Sequence, residues 1–314
     1  MVGHLEALHL LNASGEKLNE PLVSSRDSYF LGALFLFLEI VLGTSIVAII
    51  KYFSSDVSLS IVLMFRYLFC LPILLIIGLK IGGTHYFKIK NKKAMSLRSV
   101  AGLLGLSFWY LSVIHLDITK ALALSQVMPI FICMLSILFL GEKVGIFRWS
   151  AILLGLSGAV IIINPDAEGW YSVGLLYIFL GTLFASIMFV ALRRLGMTEN
   201  PVATAFWYNL FGSIVFSIYC ISALTLNNIS PEIWTMLIVI GVMASGQQIF
   251  MALSHTYASA SSLAPIHYTT IPMGVLIGLL VFNEKIDLNF LIGTFLVVGS
   301  TLFILYREQK KSSS

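Results

Sequence analysis

The tetrapeptide Leu140-Gly141-Glu142-Lys143 returns in altered form, 142 residues later, as Phe282-Asn283-Glu284-Lys285, and apolar runs of helix length flank both copies. Aligned on the two glutamates, Phe108 falls on Phe250, and Pro129 lies one position from the equivalent of Pro272. A repeat of nearly half a chain, made of hydrophobic segments, restricts the fold to one unit used twice. A membrane-spanning helix needs about 20 mainly apolar residues. Ten runs qualify: 29–50, 58–79, 97–116, 119–140, 146–164, 172–192, 202–224, 232–254, 259–281 and 287–306. Five belong to each copy, so the expected units are 29–165 and 170–306, with polar tails at 1–28 and 307–314.

Composition agrees with a bilayer as the solvent. Apolar residues make up 58% of the 314 and charged ones 11%, against about 25% charged in soluble chains. The net charge of +4 is too small to point to nucleic acid. Cys70, Cys133 and Cys220 stand singly inside apolar runs and read as packing residues, without disulfide or metal spacing. The first apolar run starts only at Tyr29 with no cleavage pattern after it, so no signal peptide is expected.

Charge placement orients the spans. With a cytoplasmic N-terminus, fifteen lysines and arginines fall inside, three (Lys51, Lys120, Lys285) fall outside, and Arg66 lies within a span. That is a strong positive-inside bias, and ten spans then put both termini in the cytoplasm. Because five is odd, the second unit enters the membrane inverted. Two similar halves of opposite orientation can exchange conformations, which brings outward-open and inward-open states close in energy. The physical reading is a secondary transporter with a midplane site. The alternatives are a multi-span receptor, a scaffold or an intramembrane enzyme. There is no phosphate-binding G-x-x-x-x-G-K-[ST] loop for an ATP-driven pump. Neither H-E-x-x-H nor a pair of core histidines is present, so no metal or cofactor is expected. Short loops suit a bacterial inner membrane.

A more specific pattern runs through Phe108-Trp109-Tyr110-Leu111, Thr119-Lys120-Ala121-Leu122-Ala123, Pro129-Ile130-Phe131, Leu140-Gly141-Glu142-Lys143 and Gly155-Leu156-Ser157-Gly158. It repeats at Phe250-Met251-Ala252-Leu253, at 258–264, Pro272 and Glu284, and Phe65-Arg66-Tyr67 precedes it. This order, doubled, resembles the EamA type of the drug/metabolite transporter superfamily over residues 30–306. The resemblance implies ten helices in two inverted five-helix repeats around a central cavity. It also implies transport of small metabolites such as amino acids, S-adenosylmethionine, riboflavin or drugs. Phe282-Asn283 departs from the Leu-Gly of the first copy.

Polar groups deep in a span are costly and mark candidate sites. Glu39 lies ~15 Å into the first span, on one face with Gly32, Leu36 and Gly43. Arg66 differs from it in depth by ~6 Å, so a direct pair is expected. That pair is either a permanent ion pair or a proton- or cation-coupling carboxylate beside its partner. The fourth and ninth spans carry Pro129 and, in the latter, Pro265 and Pro272. Proline frees a carbonyl, which is tolerated at a cavity. Ser125 and Gln126, and His267, Tyr268, Thr269 and Thr270, are therefore expected to line it. For His267 the alternative is a neutral imidazole satisfied by a neighbouring helix. Gln247 and Gln248, Asn209, Trp109 and Tyr110 are weaker candidates, the aromatics more simply as packing. Glu142 and Glu284 read as turn and cap residues at wet span ends. The lysines at 88–93 read as topology-setting contacts to anionic headgroups. Gly274 and Gly278 form a small-residue pair that could pack internally or in a homodimer.

Overall fold

The computed structural model describes residues 25–128, 130–132, 134–135, 146–163, 172–196, 199–222, 230–257 and 266–312. Pro129, Cys133, Gly141, Glu142 and Pro265 lie outside the described residues, as do residues 1–24. Ten α-helices are described: α1 Ser25–Tyr52, α2 Leu59–Gly82, α3 Lys92–His115, α4 Ile118–Ser125, α5 Ile146–Ile163, α6 Val173–Gly196, α7 Pro201–Ser222, α8 Pro231–Tyr257, α9 Thr270–Val281 and α10 Leu288–Ser312. Among the described residues α1, α2, α3, α6, α7 and α8 are long and apolar enough to cross a membrane, while α4, α5, α9 and α10 contribute shorter apolar helices. Adding five to a helix number maps each class onto itself. Outward-facing side chains such as Leu153, Ile218, Leu280 and Phe295 are large and apolar, as lipid contact requires.

The helix contacts obey the same rule. The pair α1 and α8 corresponds to α6 and α3, while α2 packs on α7, α4 on α9 and α5 on α10. Atomic detail follows it too. A Cβ at Gly43 would come within 2.7 Å of Gln247, and one at Gly105 within 2.9 Å of the Ala185 backbone. Residues 43 and 105 shifted by the 142-residue repeat are 185 and 247, so these are one contact made twice. The meetings of Gly155 with Ser300 and of Gly158 with Val297 form a second such pair. Chemically different residues make each pair, so the two-fold relation belongs to the backbone.

Two helices start four or more residues earlier than the sequence expectation. Helix α1 begins at Ser25, four residues inside the expected tail. Helix α3 begins at Lys92, five residues before its apolar run, because Asn91 caps it by accepting from Ala94 N at 3.1 Å. Glu199 holds this start by accepting from Lys90 N and Asn91 N. Arg98 thus stands six residues into the helix and not at its first turn. The Gly274 and Gly278 pair packs internally, against Leu122 and against Thr119 with Glu284.

The departure at Phe282-Asn283 has a backbone reason. Asn283 has φ +53°, the left-handed conformation that ends many helices and that glycine and asparagine tolerate best. Asparagine thus stands where the first copy has Gly141.

Candidate substrate site

Two helix breaks mark the centre. Described helix stops at Gln126–Val127 and again at Tyr268–Thr269, positions that are repeat equivalents. Each lies just ahead of a proline, whose missing N–H leaves the carbonyl four residues earlier without its helical donor. Backbone bonds tighten there: Gln126 N to Ala123 O at 3.1 Å, and Thr269 N to Ile266 O at 3.0 Å. The breaks touch, with Gln126 Nε2 donating to Thr270 Oγ1 at 3.1 Å. Ser125 Oγ donates to Leu122 O, Thr269 Oγ1 to Ile266 O, and Thr270 Oγ1 to His267 O. Tyr268 packs on the core, and His267 is exposed beside it.

Helix α1 lies against this centre through Leu36 and Ile40, which pack with Ile266 and Met273. On the same stretch, Glu39 Oε1 accepts from Gln247 Nε2 at 2.8 Å. The oxygen of that carboxamide accepts from Arg66 Nη2 at 3.3 Å. The expected direct pairing of Glu39 with Arg66 is thus replaced by a relay through Gln247, because α8 packs against both α1 and α2. Gly43 leaves the room for it. A Cβ there would meet the end of a flexible side chain, so Gly43→Ala should swing the amide away from Glu39 without moving backbone. The expected result is a roughly tenfold slower transport, equivalent to one charge-assisted hydrogen bond, at an almost unchanged unfolding midpoint. A large drop in that midpoint would show that the glycine serves helix packing instead.

Arg66 is 4% exposed and lies 5.8 Å and 5.9 Å from the ring centroids of Tyr67 and Tyr110, distances at which a ring face attracts a cation. Tyr67 and Tyr208 share a hydrogen bond of 2.9 Å between their hydroxyls. Beyond them the Arg98 guanidinium sits 5.4 Å from the Tyr208 centroid. Arg98, Tyr67 and Tyr208 are not among the residues that sequence reasoning picked out. Arg98 is one of the fifteen basic residues that charge placement assigns to the cytoplasmic side, yet it is 7% exposed. The signal for Tyr208 was available: it is the repeat equivalent of Arg66. Asn209, fully buried, donates from Nδ2 to Ala205 O at 2.9 Å. Trp109 is half-buried against the hydrophobic core, and its backbone packs on Gly181 of α6. Gln248 stands one residue, about 100° of helix, away from Gln247.

Glu284 forms a separate locus, and it is buried, not at a wet span end. Its Oε1 accepts from Ile118 N at 2.7 Å and its Oε2 from Thr119 N at 3.1 Å and from Thr119 Oγ1. Lys51 Nζ lies 3.4 Å from Oε1 and also donates to Leu116 O. The neighbour in sequence, Lys285, is not the salt-bridge partner.

The sequence model of the EamA-like transporter family matches residues 30–164 and again residues 172–306. This chain belongs to the EamA-like transporter family. Among its relatives, a riboflavin transporter of Brucella anthropi is 29% identical over 73% of this chain and 82% of that protein. An S-adenosylmethionine uptake transporter of Rickettsia bellii is 24% identical over 91% of this chain and 97% of that one. A crystal structure with 16% identity has the same fold, with a TM-score of 0.61 over 91% of this EamA-like chain and 99% of its own. The ten-helix, doubled architecture is that of the family, and the protein is a multi-pass membrane transporter of small metabolites.

Proposed function

We propose that this EamA-like transporter carries a small polar metabolite by alternating access, without altering it chemically. The metabolite binds where the α4 and α9 breaks adjoin the Glu39–Gln247–Arg66 relay. The observation that supports this most is the contact of the two breaks through Gln126 and Thr270. Interrupted helices at membrane depth are tolerated where their freed backbone groups face a cavity. Both termini face the cytoplasm of a bacterial inner membrane, as the basic residues argue. Riboflavin and S-adenosylmethionine, the cargoes named for relatives, are the first compounds to test. Reconstituted protein should show saturable uptake accelerated by substrate loaded inside the vesicle. Hydrolysed product without flux would instead favour an intramembrane enzyme.

The relay also suggests how a proton could couple. A protonated Glu39 keeps one acceptor oxygen and gains an O–H donor, so its bond from Gln247 Nε2 loses its charge assistance and the amide is free to turn its oxygen toward Glu39, which sets its Nε2 against Arg66, donor against donor. Arg66 on α2 is the ionisable group across Gln247 from it, with Tyr110 on α3 beside Arg66. Glu39→Gln should therefore abolish the pH dependence of uptake while the protein stays folded. An unaltered pH profile would leave Glu39 as a structural acceptor.

A further inference from the structure

We infer that the cargo carries an oxyanion, a carboxylate or a phosphate, received by the guanidinium groups of Arg66 and Arg98 on either side of the Tyr67–Tyr208 hydroxyl pair. What the oxyanion belongs to rests on the carrier reading above; the affinity for it rests on the two arginines.

The charges in this cluster do not balance. Two arginines are buried, 4% and 7% exposed, and arginine stays protonated in proteins. One carboxylate, Glu39, belongs to the cluster, and it accepts from Gln247. The other buried carboxylates are engaged elsewhere, Glu199 on the amides that open α3 and Glu284 on those that open α4. Among the described residues, Nε and Nη1 of both Arg66 and Arg98 have no hydrogen-bond partner. Tyr67, Tyr110 and Tyr208 present ring faces to them, and the Tyr110 hydroxyl also lies within interaction range of the Arg66 guanidinium. A ring face attracts a cation but does not take up the directed N–H groups of its edge.

Unpaired donors at membrane depth are costly, because lipid supplies no acceptor. In each guanidinium the free Nε and Nη1 lie on different edges, so each offers an oxyanion single charge-assisted hydrogen bonds and not a two-pronged fork. The positions suit a moving cargo. Arg66 is seven residues past the start of α2, ~10 Å deep, while Arg98 stands near the opposite edge, one residue inside the apolar run that α3 carries. Consecutive spans run oppositely, so the two charges stand in opposite halves of the bilayer with the tyrosine hydroxyls between them.

The test uses reconstituted wild type, Arg66→Gln and Arg98→Gln with two matched pairs of compounds. Riboflavin 5′-phosphate is compared with riboflavin, and S-adenosylmethionine with its carboxyl methyl ester. Binding is read from the unfolding midpoint in detergent, and transport from counterflow. At least one anionic member should bind and be carried at least about tenfold better than its neutralised partner, the scale of one charge-assisted hydrogen bond. Either substitution should erase that preference. A response confined to one pair identifies the cargo group as phosphate or carboxylate. Should Arg66→Gln fail to run as a monodisperse protein, Arg66→Lys and Arg98→Gln carry the comparison. Neutral members bound as tightly as anionic ones, or a preference that survives Arg98→Gln, overturns the inference. Flux of riboflavin alone, indifferent to both substitutions, does the same and leaves the carrier reading intact. No binding and no flux with any of the four compounds overturns the inference and leaves the family assignment, which rests on the two matched repeats, in place.

Discussion

Glu284→Ala is expected to destabilise this protein by about 3–5 kcal/mol, the cost of leaving a buried charge without its partner. The carboxylate receives the first two amides of α4, the Thr119 hydroxyl and the Lys51 ammonium. Its removal leaves two first-turn donors and a cation facing an apolar interior. Loss of an ordinary helix cap costs only about 0.5–2 kcal/mol, so the ammonium decides the size of the effect. Glu284→Gln keeps one acceptor oxygen and should fall in between. Lys51→Met should cost least, since the carboxylate keeps its amides at a helix N-terminus, where negative charge is favoured. Thermal unfolding in detergent should rank the midpoints as wild type, Lys51→Met, Glu284→Gln, Glu284→Ala. An alanine variant as stable as wild type would mean that these contacts contribute nothing to the folded state.

Gln247→Leu should give the largest loss of transport at the smallest loss of stability. Leucine nearly matches the volume but breaks both hydrogen bonds of the relay at once. Each bond involves a charged partner and is worth about 1.5–3 kcal/mol, so uptake should slow by about a hundredfold or more. Gln248→Leu, one helical step away, is the control and should transport nearly as wild type. Equal rates in the two variants would remove Gln247 from the transport cycle.

How far the sequence reached is clearest residue by residue. Glu39, Arg66, Gln247 and Tyr110 could be chosen because a polar group deep in an apolar run declares itself against its background. Which of them touch could not be chosen. Depth along a span is a one-dimensional quantity, and it paired Glu39 with Arg66 while Gln247, on a helix far along the chain, came between them. Arg98 was lost for the opposite reason. It stands beside lysines at the edge of an apolar run, and hydropathy alone reads such an arginine as water-facing. Glu284 was expected in water on the same ground, because its sequence neighbours are polar while its spatial neighbours lie on α1 and α4.

The amino-acid sequence by itself determined the ten apolar runs, their division into two fives and the opposed sense of the halves. These follow from solvent preference and from the parity of five, which need no knowledge of contacts. Only the tertiary structure decided that the two breaks meet, that a glutamine stands between carboxylate and guanidinium, and that two arginines share one tyrosine pair. Those facts depend on which helix faces lie together, and lipid, which drives helices to form but favours no one apolar face over another, leaves that choice to close packing at small residues such as Gly43 and to the hydrogen bonds that buried polar groups require.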